Sequence, residues 1–270
     1  MTTRTMEPET AAAPAPQTRA LAPQAFRRVF DEEVVHSGFF EGPKYYQRYW
    51  DRYWNTLREV ATLDLPRPAR VLDVGAGIFA LLAHRLWQDD CAVADISSEY
   101  AEAVTRYGIR HTVFDLARDE PPEHLGLFDL ILLCEVIEHI PLPPHVVLDK
   151  LLRLLRPGGY ILLTTPNLGR PRNVWRLAVH GTLFTQWRIP DPPAPLGHIR
   201  EYTAAEMEWH LRQAGFTDCR AEITQLTNGA SSPAAHVFRW ATLPLRLRKQ
   251  WRDAVIAVAR RPEEPARPPA

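Results

Sequence analysis

The stretch ARVLDVGAGIFALLAHRLW, residues 69–87, restricts the fold more than any other part of this chain. A short apolar run ends in Asp73, Gly75 and Gly77 follow two apart, and apolar residues then recur at helical spacing. Strand, glycine turn and helix in that order open a βαβ unit, and parallel strands need such a crossover between them. The rest of the chain must therefore supply further strands alternating with helices, and it does. CAVADIS reads as a second strand ending in Asp95, and SSEYAEAVTRYG as a helix capped by Ser97 or Ser98. HTVFDL reads as a third strand ending in Asp115, FDLILLCE as a fourth and YILLTTPN as a fifth. Between the last two, PPHVVLDKLLRLLRPGG is an amphipathic helix stopped by Pro157, Gly158 and Gly159. TAAEMEWHLRQAGF carries a capping box from Thr203 to Glu206 and leads into a strand near residues 217–223; DAVIAVARR is a last strand. The strands are near-continuous apolar runs, as in sheets covered on both faces. The fold class is α/β, a doubly wound, mainly parallel sheet.

The folded domain is expected over residues 24–260. The Ala/Pro/Thr-rich segment 1–23 and the tail 261–270 are expected to be disordered. Ahead of the first strand, GPKYYQRYWDRYWNTLREV places Tyr46, Trp50, Tyr53, Trp54 and Leu57 on one helical stripe, a helix that packs on the domain or closes over a ligand. Lys plus Arg equals Asp plus Glu at 32 each, which disfavours a dedicated nucleic-acid binder. Cys91, Cys134 and Cys219 are odd in number and far apart, fitting neither a disulfide framework nor a zinc ribbon. With no signal-peptide core and no spanning apolar run, the chain reads as cytoplasmic. Its oligomeric state is not readable.

DVGAGIFA matches G-x-G-x-x-A with Ala80 last, so a nicotinamide dinucleotide has to be considered, and Asp95 stands roughly twenty residues on, where an acid holds ribose hydroxyls. Asp73 argues the other way: a carboxylate beside the turn repels a pyrophosphate and welcomes a cation. S-adenosylmethionine carries a sulfonium and an ammonium and no phosphate. From Arg70 to Phe216 the successive stretches VLDVGAG, VADIS, FD, FDLILLCEVIEH and LLRPGGYILLTTPN resemble the motifs of class I S-adenosylmethionine-dependent methyltransferases. That resemblance implies a Rossmann-like sheet of order 3-2-1-4-5-7-6 with an antiparallel seventh strand, which DAVIAVARR suits. It further implies that Asp73, Gly75, Ala76 and Gly77 flank the methionine portion of the cofactor. Asp95, with Ile96 next to it, would bond the ribose, and Asp115 with Leu116 would meet the adenine. Cys134 and Glu135 would pass the sulfonium. One departure stands out: Phe79 occupies the position of the family's third loop glycine.

CEVIEHI places Glu135, Glu138 and His139 at i, i+3 and i+4, on one face if the segment is helical. EVIEH, TTPN and HIREYT resemble the ubiquinone-pathway O-methyltransferases. ExxEH with a later His also resembles small-RNA 2′-O-methyltransferases, in which two Glu and two His hold a divalent ion. The resemblance makes Glu135, Glu138, His139 and His198 candidate ligands of Mg²⁺, Mn²⁺, Fe²⁺ or Zn²⁺, an ion that would lower the pKa of an acceptor hydroxyl. Without metal, His139 or His198 would be the general base with Glu138 orienting it; in a purely structural role Glu138 would cap the next helix. Residues 168–200 form an insertion, in this family the usual place of a substrate lid. It mixes Arg170, Arg172, Arg176 and Arg188 with Trp175, Leu177, Val179, Phe184 and Trp187, so a hydrophobic or anionic acceptor and peripheral membrane contact are both open. The expected function is S-adenosylmethionine-dependent O-methylation of a small molecule, quinone precursor or sugar hydroxyl. Alternatives are a non-catalytic cofactor-binding partner protein, an RNA 2′-O-methyltransferase and a nicotinamide oxidoreductase.

Overall fold

The computed structural model describes residues 19–183, 197–227 and 233–263. Helix α1 (Pro23–Val29) runs into a π-helical turn (Phe30–Val34), and α2 (Pro43–Val60) follows. Then come β1 (Arg70–Val74), α3 (Ile78–Trp87), β2 (Asp90–Asp95), α4 (Ala101–Thr105), β3 (Arg110–Val113) and β4 (Phe128–Cys134). The second half holds α5 (Pro144–Arg153), β5 (Leu155–Pro166), α6 (Pro171–His180), α7 (Ala204–Gln213), β6 (Thr217–Thr224), α8 (Pro233–Ala241), α9 (Leu243–Arg246) and β7 (Ala254–Arg260). One sheet takes the order β3-β2-β1-β4-β5-β7-β6, parallel except for β7, which runs antiparallel to both its neighbours. This is the expected topology.

Alternate residues of β4 point to opposite faces, which is why the strand is apolar throughout. Leu130 and Leu132 join the core built with α1, α2 and α3, whereas Ile131 and Leu133 join the one built with α5 and α7. The capping box of α7 forms as expected: Glu206 N–H donates to Thr203 Oγ1 at 3.2 Å and Thr203 N–H to Glu206 Oε2 at 2.8 Å.

Four local expectations are corrected. No serine caps α4; Asp95 accepts from Ser97 N–H at 3.0 Å and Ser97 Oγ from Glu99 N–H at 3.0 Å, so local side-chain bonds hold a turn and the helix starts only at Ala101. Strand β3 stops at Val113, and Asp115 bends the chain by accepting from Ala117 N–H at 2.8 Å. Helix α5 ends at Arg153, and Pro157-Gly158-Gly159 lies within β5 at a register shift against β4. The folded chain also begins before residue 24: Arg19 is buried in an ion pair with Asp89 and donates to Pro66 O at 2.9 Å. At the other end, residues 261–263 of the expected tail are ordered, Arg261 N–H donating to Gly159 O at 2.8 Å. Residues 1–18 and 264–270 of the expected tails, and Phe184, Trp187 and Arg188 of the insertion, lie outside the described residues.

Candidate functional site

The carboxyl ends of β1, β2 and β4 meet at the glycine turn. Gly75 N–H donates to Ala94 O at 2.9 Å, tying the turn to β2. Gly75 and Gly77 have φ of +120° and +82°. A Cβ on Gly77 would stand 2.9 Å from Val93 Cγ2, so backbone strain and lack of space both demand glycine there. Phe79 is buried in the first turn of α3, its ring 5.3 Å from that of Tyr53. The family's missing third glycine is thus absorbed into the core beneath α2.

Asp73 also turns inward. Its Oδ2 accepts from Ala80 N–H at 3.0 Å, gripping the first turn of α3. Burial pushes its carboxyl up to about 7, against the opposing pull of the Ala80 and Phe79 amides. A half-neutralised Asp73 repels a pyrophosphate less than a full carboxylate does, so this residue alone no longer separates the two ligand types. The shift bears on stability. Burial also pushes Asp253, which accepts from Leu226 N–H and Thr227 N–H, up to about 6. Between the ordinary value of 3.8 and these folded values, the native chain holds more protons than the unfolded one. Their contribution is therefore fully present below that window and is lost as pH rises through it. Glu201 and Glu206 are lowered, so their contribution is fully present above the ordinary value of 4.5, while His210, lowered from 6.5 by burial, opposes the trend in part. The melting temperature of ligand-free protein is expected to fall between roughly pH 5 and pH 8, and Asp73→Asn to flatten the slope. A melting temperature that rises across this range would contradict the assignment.

Asp95 ends β2 and Asp115 stands two residues after β3, the neighbouring strand. Asp95 is partly buried, and burial raises its carboxyl despite the Ser97 amide. Ile96, the next residue, is an apolar side chain 66% exposed. Asp115 pairs with Arg118 at 3.5 Å, and buried Leu116 accepts Lys150 Nζ at 3.0 Å through its carbonyl. The loop after β3 is thereby anchored to α5.

The end of β4 is where sequence and structure part most. Cys134 lies opposite Thr164 in the parallel register, and burial holds its thiol far above the ordinary range. Glu135 has φ +58°. Its Oε1 accepts from Thr164 Oγ1 at 3.0 Å and its Oε2 lies 3.3 Å from Arg52 of α2. Arg52 also donates to Tyr45 Oη at 3.3 Å and stands 5.3 Å from the Tyr49 ring. Glu135 therefore faces α2. Only Ile137–His139 forms a helical turn, a 3₁₀ one, so Glu135 and Glu138 do not share a face. Glu138 is 1% exposed; its Oε2 accepts from Thr165 Oγ1 at 3.1 Å, and its Oε1 has no hydrogen-bond partner. Burial, reinforced by the Glu135 charge, holds its carboxyl well above the ordinary range. Its carbonyl accepts from Ile199 N–H at 2.8 Å, pinning the distant loop that carries His198. The rings of His139 and His198 meet edge to face at 4.9 Å. One ligand-capable atom from each of Glu138, His139 and His198 lies within 4.8 Å of the others. A buried carboxylate oxygen with no hydrogen bond, 4.0 Å from His139 Nε2 and beside a second imidazole, fits a divalent cation, and the mixed donors leave its identity open.

Three of the four proposed ligands thus converge, and Glu135 is held away from them. Arg52 and Glu201 were missed from sequence. Arg52 is hidden in an aromatic stripe that reads as packing. Glu201 lies between His198 and the capping box, where nothing in the spacing marks it. In the insertion, α6 exposes Trp175, Leu177 and Val179, and Trp175 packs on Phe238 of α8 at 6.0 Å. No helix among the described residues is long and apolar enough to cross a membrane.

Residues 45–220 match the methyltransferase-domain family. The ubiquinone biosynthesis O-methyltransferase of Marinobacter nauticus is 30% identical over 128 residues, covering 47% of this chain and 49% of that protein. The enzyme of the same name from Thiobacillus denitrificans is 30% identical over 177 residues, covering 63% of this chain and 72% of that one. The chain thus spans about half the length of the first of these relatives. A solved S-adenosylmethionine-dependent methyltransferase from Archaeoglobus fulgidus shares the fold with a TM-score of 0.52 at 14% identity, over 80% of this chain and 98% of that one. Sheet order, glycine turn and family match agree: the chain belongs to the class I S-adenosylmethionine-dependent methyltransferases.

Proposed function

We propose that this protein methylates a hydroxyl of a small-molecule acceptor, a quinone precursor or a sugar among the candidates, at the Glu138–His139–His198 cluster. The observation that carries this reading is the buried Oε1 of Glu138, without a hydrogen bond, beside the two imidazoles of His139 and His198. The names of the curated relatives favour oxygen as the acceptor atom. The acceptor oxygen attacks the methyl carbon in line, the carbon–sulfur bond breaks, S-adenosylhomocysteine leaves and the hydroxyl proton passes to a base or to solvent. Gly75, Gly77, Asp95 and Asp115 would seat the cofactor, and Glu138, His139 and His198 would hold a divalent ion. Such an ion supplies a lowered hydroxyl pKa and a fixed acceptor position.

A metal-free base is favoured by one separate contact, His198 Nδ1 against Glu201 Oε1 at 2.9 Å, the arrangement that orients a general base. A chelator decides between the two. Turnover of a catechol and sugar panel with labelled S-adenosylmethionine is expected to disappear with EDTA and return with Mg²⁺ or Mn²⁺. Undiminished turnover in EDTA would remove the ion and leave the histidine base. Tight cofactor binding with no acceptor turned over would instead favour the non-catalytic partner role, which the comparisons do not support.

A further inference from the structure

We propose that Glu201 is a positioning residue that fixes the tautomer of His198 and so leaves Nε2 as its one working nitrogen. What this does for chemistry rests on the reading above; the tautomer itself does not. Glu201 is 3% exposed, yet donors meet both of its oxygens. Oε1 takes Arg170 and His198 Nδ1, the latter at 2.9 Å, and Oε2 takes Asn173 Nδ2 at 2.6 Å. An arginine stays charged at any pH a protein meets, so its direct partner here is a carboxylate. A carboxylate only accepts, so Nδ1 of His198 must carry the proton and, in the neutral ring, Nε2 must carry the lone pair. Burial works against ionising Glu201, but the His198, Arg170 and Asn173 contacts outweigh it and hold its carboxyl below the ordinary range.

The ring is also held in place. The Ile199 and Arg200 amides both point at Glu138 O, at 2.8 and 3.3 Å, fixing the backbone beside His198. His139 blocks one edge of the ring. With Nδ1 engaged, Nε2 is the only atom of His198 that can bind a cation or take a proton. Outer partners of this kind set the orientation and basicity of a histidine ligand. Arg170 and Asn173 belong to the start of α6, so this helix and the imidazole are tied to the same carboxylate.

The test is the ¹⁵N chemical-shift pattern of His198 in metal-free, full-length protein at about pH 8.5, where an ordinary imidazole is neutral, followed by Mn²⁺ titration. In the wild type the proton is expected on Nδ1. Glu201→Gln keeps one acceptor oxygen and should preserve that tautomer. Glu201→Leu removes the acceptor; His198 should revert to the Nε2–H form that free imidazole side chains prefer, and Mn²⁺ affinity should fall by about 10–100-fold. A wild-type proton on Nε2 overturns the proposal. So does a folded Glu201→Leu variant with the wild-type tautomer and affinity. The wild-type spectrum and Glu201→Gln decide the matter even if Glu201→Leu does not fold. If the wild type binds no Mn²⁺, the ion is lost from the functional reading, while the tautomer still reports on Glu201.

Discussion

Glu138→Gln is expected to lower kcat by about 10²–10⁴-fold while leaving the protein at least as stable as the wild type. The two halves of this expectation come from one observation. The carboxyl is buried, bonded through one oxygen to Thr165 and bare at the other. An amide fills the same volume and its oxygen can still accept from Thr165, so packing is preserved. What is lost is a carboxyl that can ionise beside a cation or an imidazolium at His139 and His198, which either reading of the site requires. Burial raises this carboxyl because the charged form is costly there, and glutamine relieves that cost. Loss of activity with unchanged or higher melting temperature separates a catalytic role from a structural one. Near-normal kcat in a stable variant would show that Glu138 merely closes the loop.

Gly77→Val is expected to abolish measurable S-adenosylmethionine binding, a loss of more than 100-fold by calorimetric titration. It also destabilises the domain by roughly 1–3 kcal/mol from backbone strain alone. At φ +82° a β-branched residue is strained wherever it sits, and its Cβ would meet Val93 Cγ2 at 2.9 Å and Phe39 at 3.4 Å. Val93 is buried in β2 between two other strands and has nowhere to go. The turn must shift outward, into the space above the strand ends. Gly181→Val is the matched control: φ is +67°, yet among the described residues nothing lies within 4 Å of the added Cβ, so strain acts there without that clash. Wild-type cofactor affinity in Gly77→Val would mean that the glycine turn is not the cofactor cradle.

The sheet was legible because its strands announce themselves twice, as unbroken apolar runs and as the ends at which Asp73, Asp95 and Glu135 appear. The antiparallel β7 could be placed only through resemblance, since periodicity carries no neighbour information. The site was legible in composition and less so in geometry. Glu135 and Glu138 look equivalent in CEVIEHI, but a left-handed backbone at Glu135 sends its carboxylate to Thr164 and Arg52. That conformation is imposed by the strand end and by α2, which no local spacing encodes. Asp73 was read as facing a ligand, whereas the start of α3 lies close enough to claim it. Glu201 is ordinary in sequence and becomes informative only when α6 brings Arg170 and Asn173 to it.

The position of β7 has a consequence for the order in which the site is finished. A ribosome releases β7 after both strands it separates, yet it pairs Ile256 with Thr164 and Val255 with Thr165. Those two threonines hold Glu135 and Glu138. Until residues 254–260 have left the exit tunnel, β5 presents an open edge and β6 has no partner strand. The nascent chain can assemble β1 to β4 well before β5 is paired along its outer edge. Of the seven strands of this sheet, β7 is made last, and it pairs beside the two threonines that bond Glu135 and Glu138.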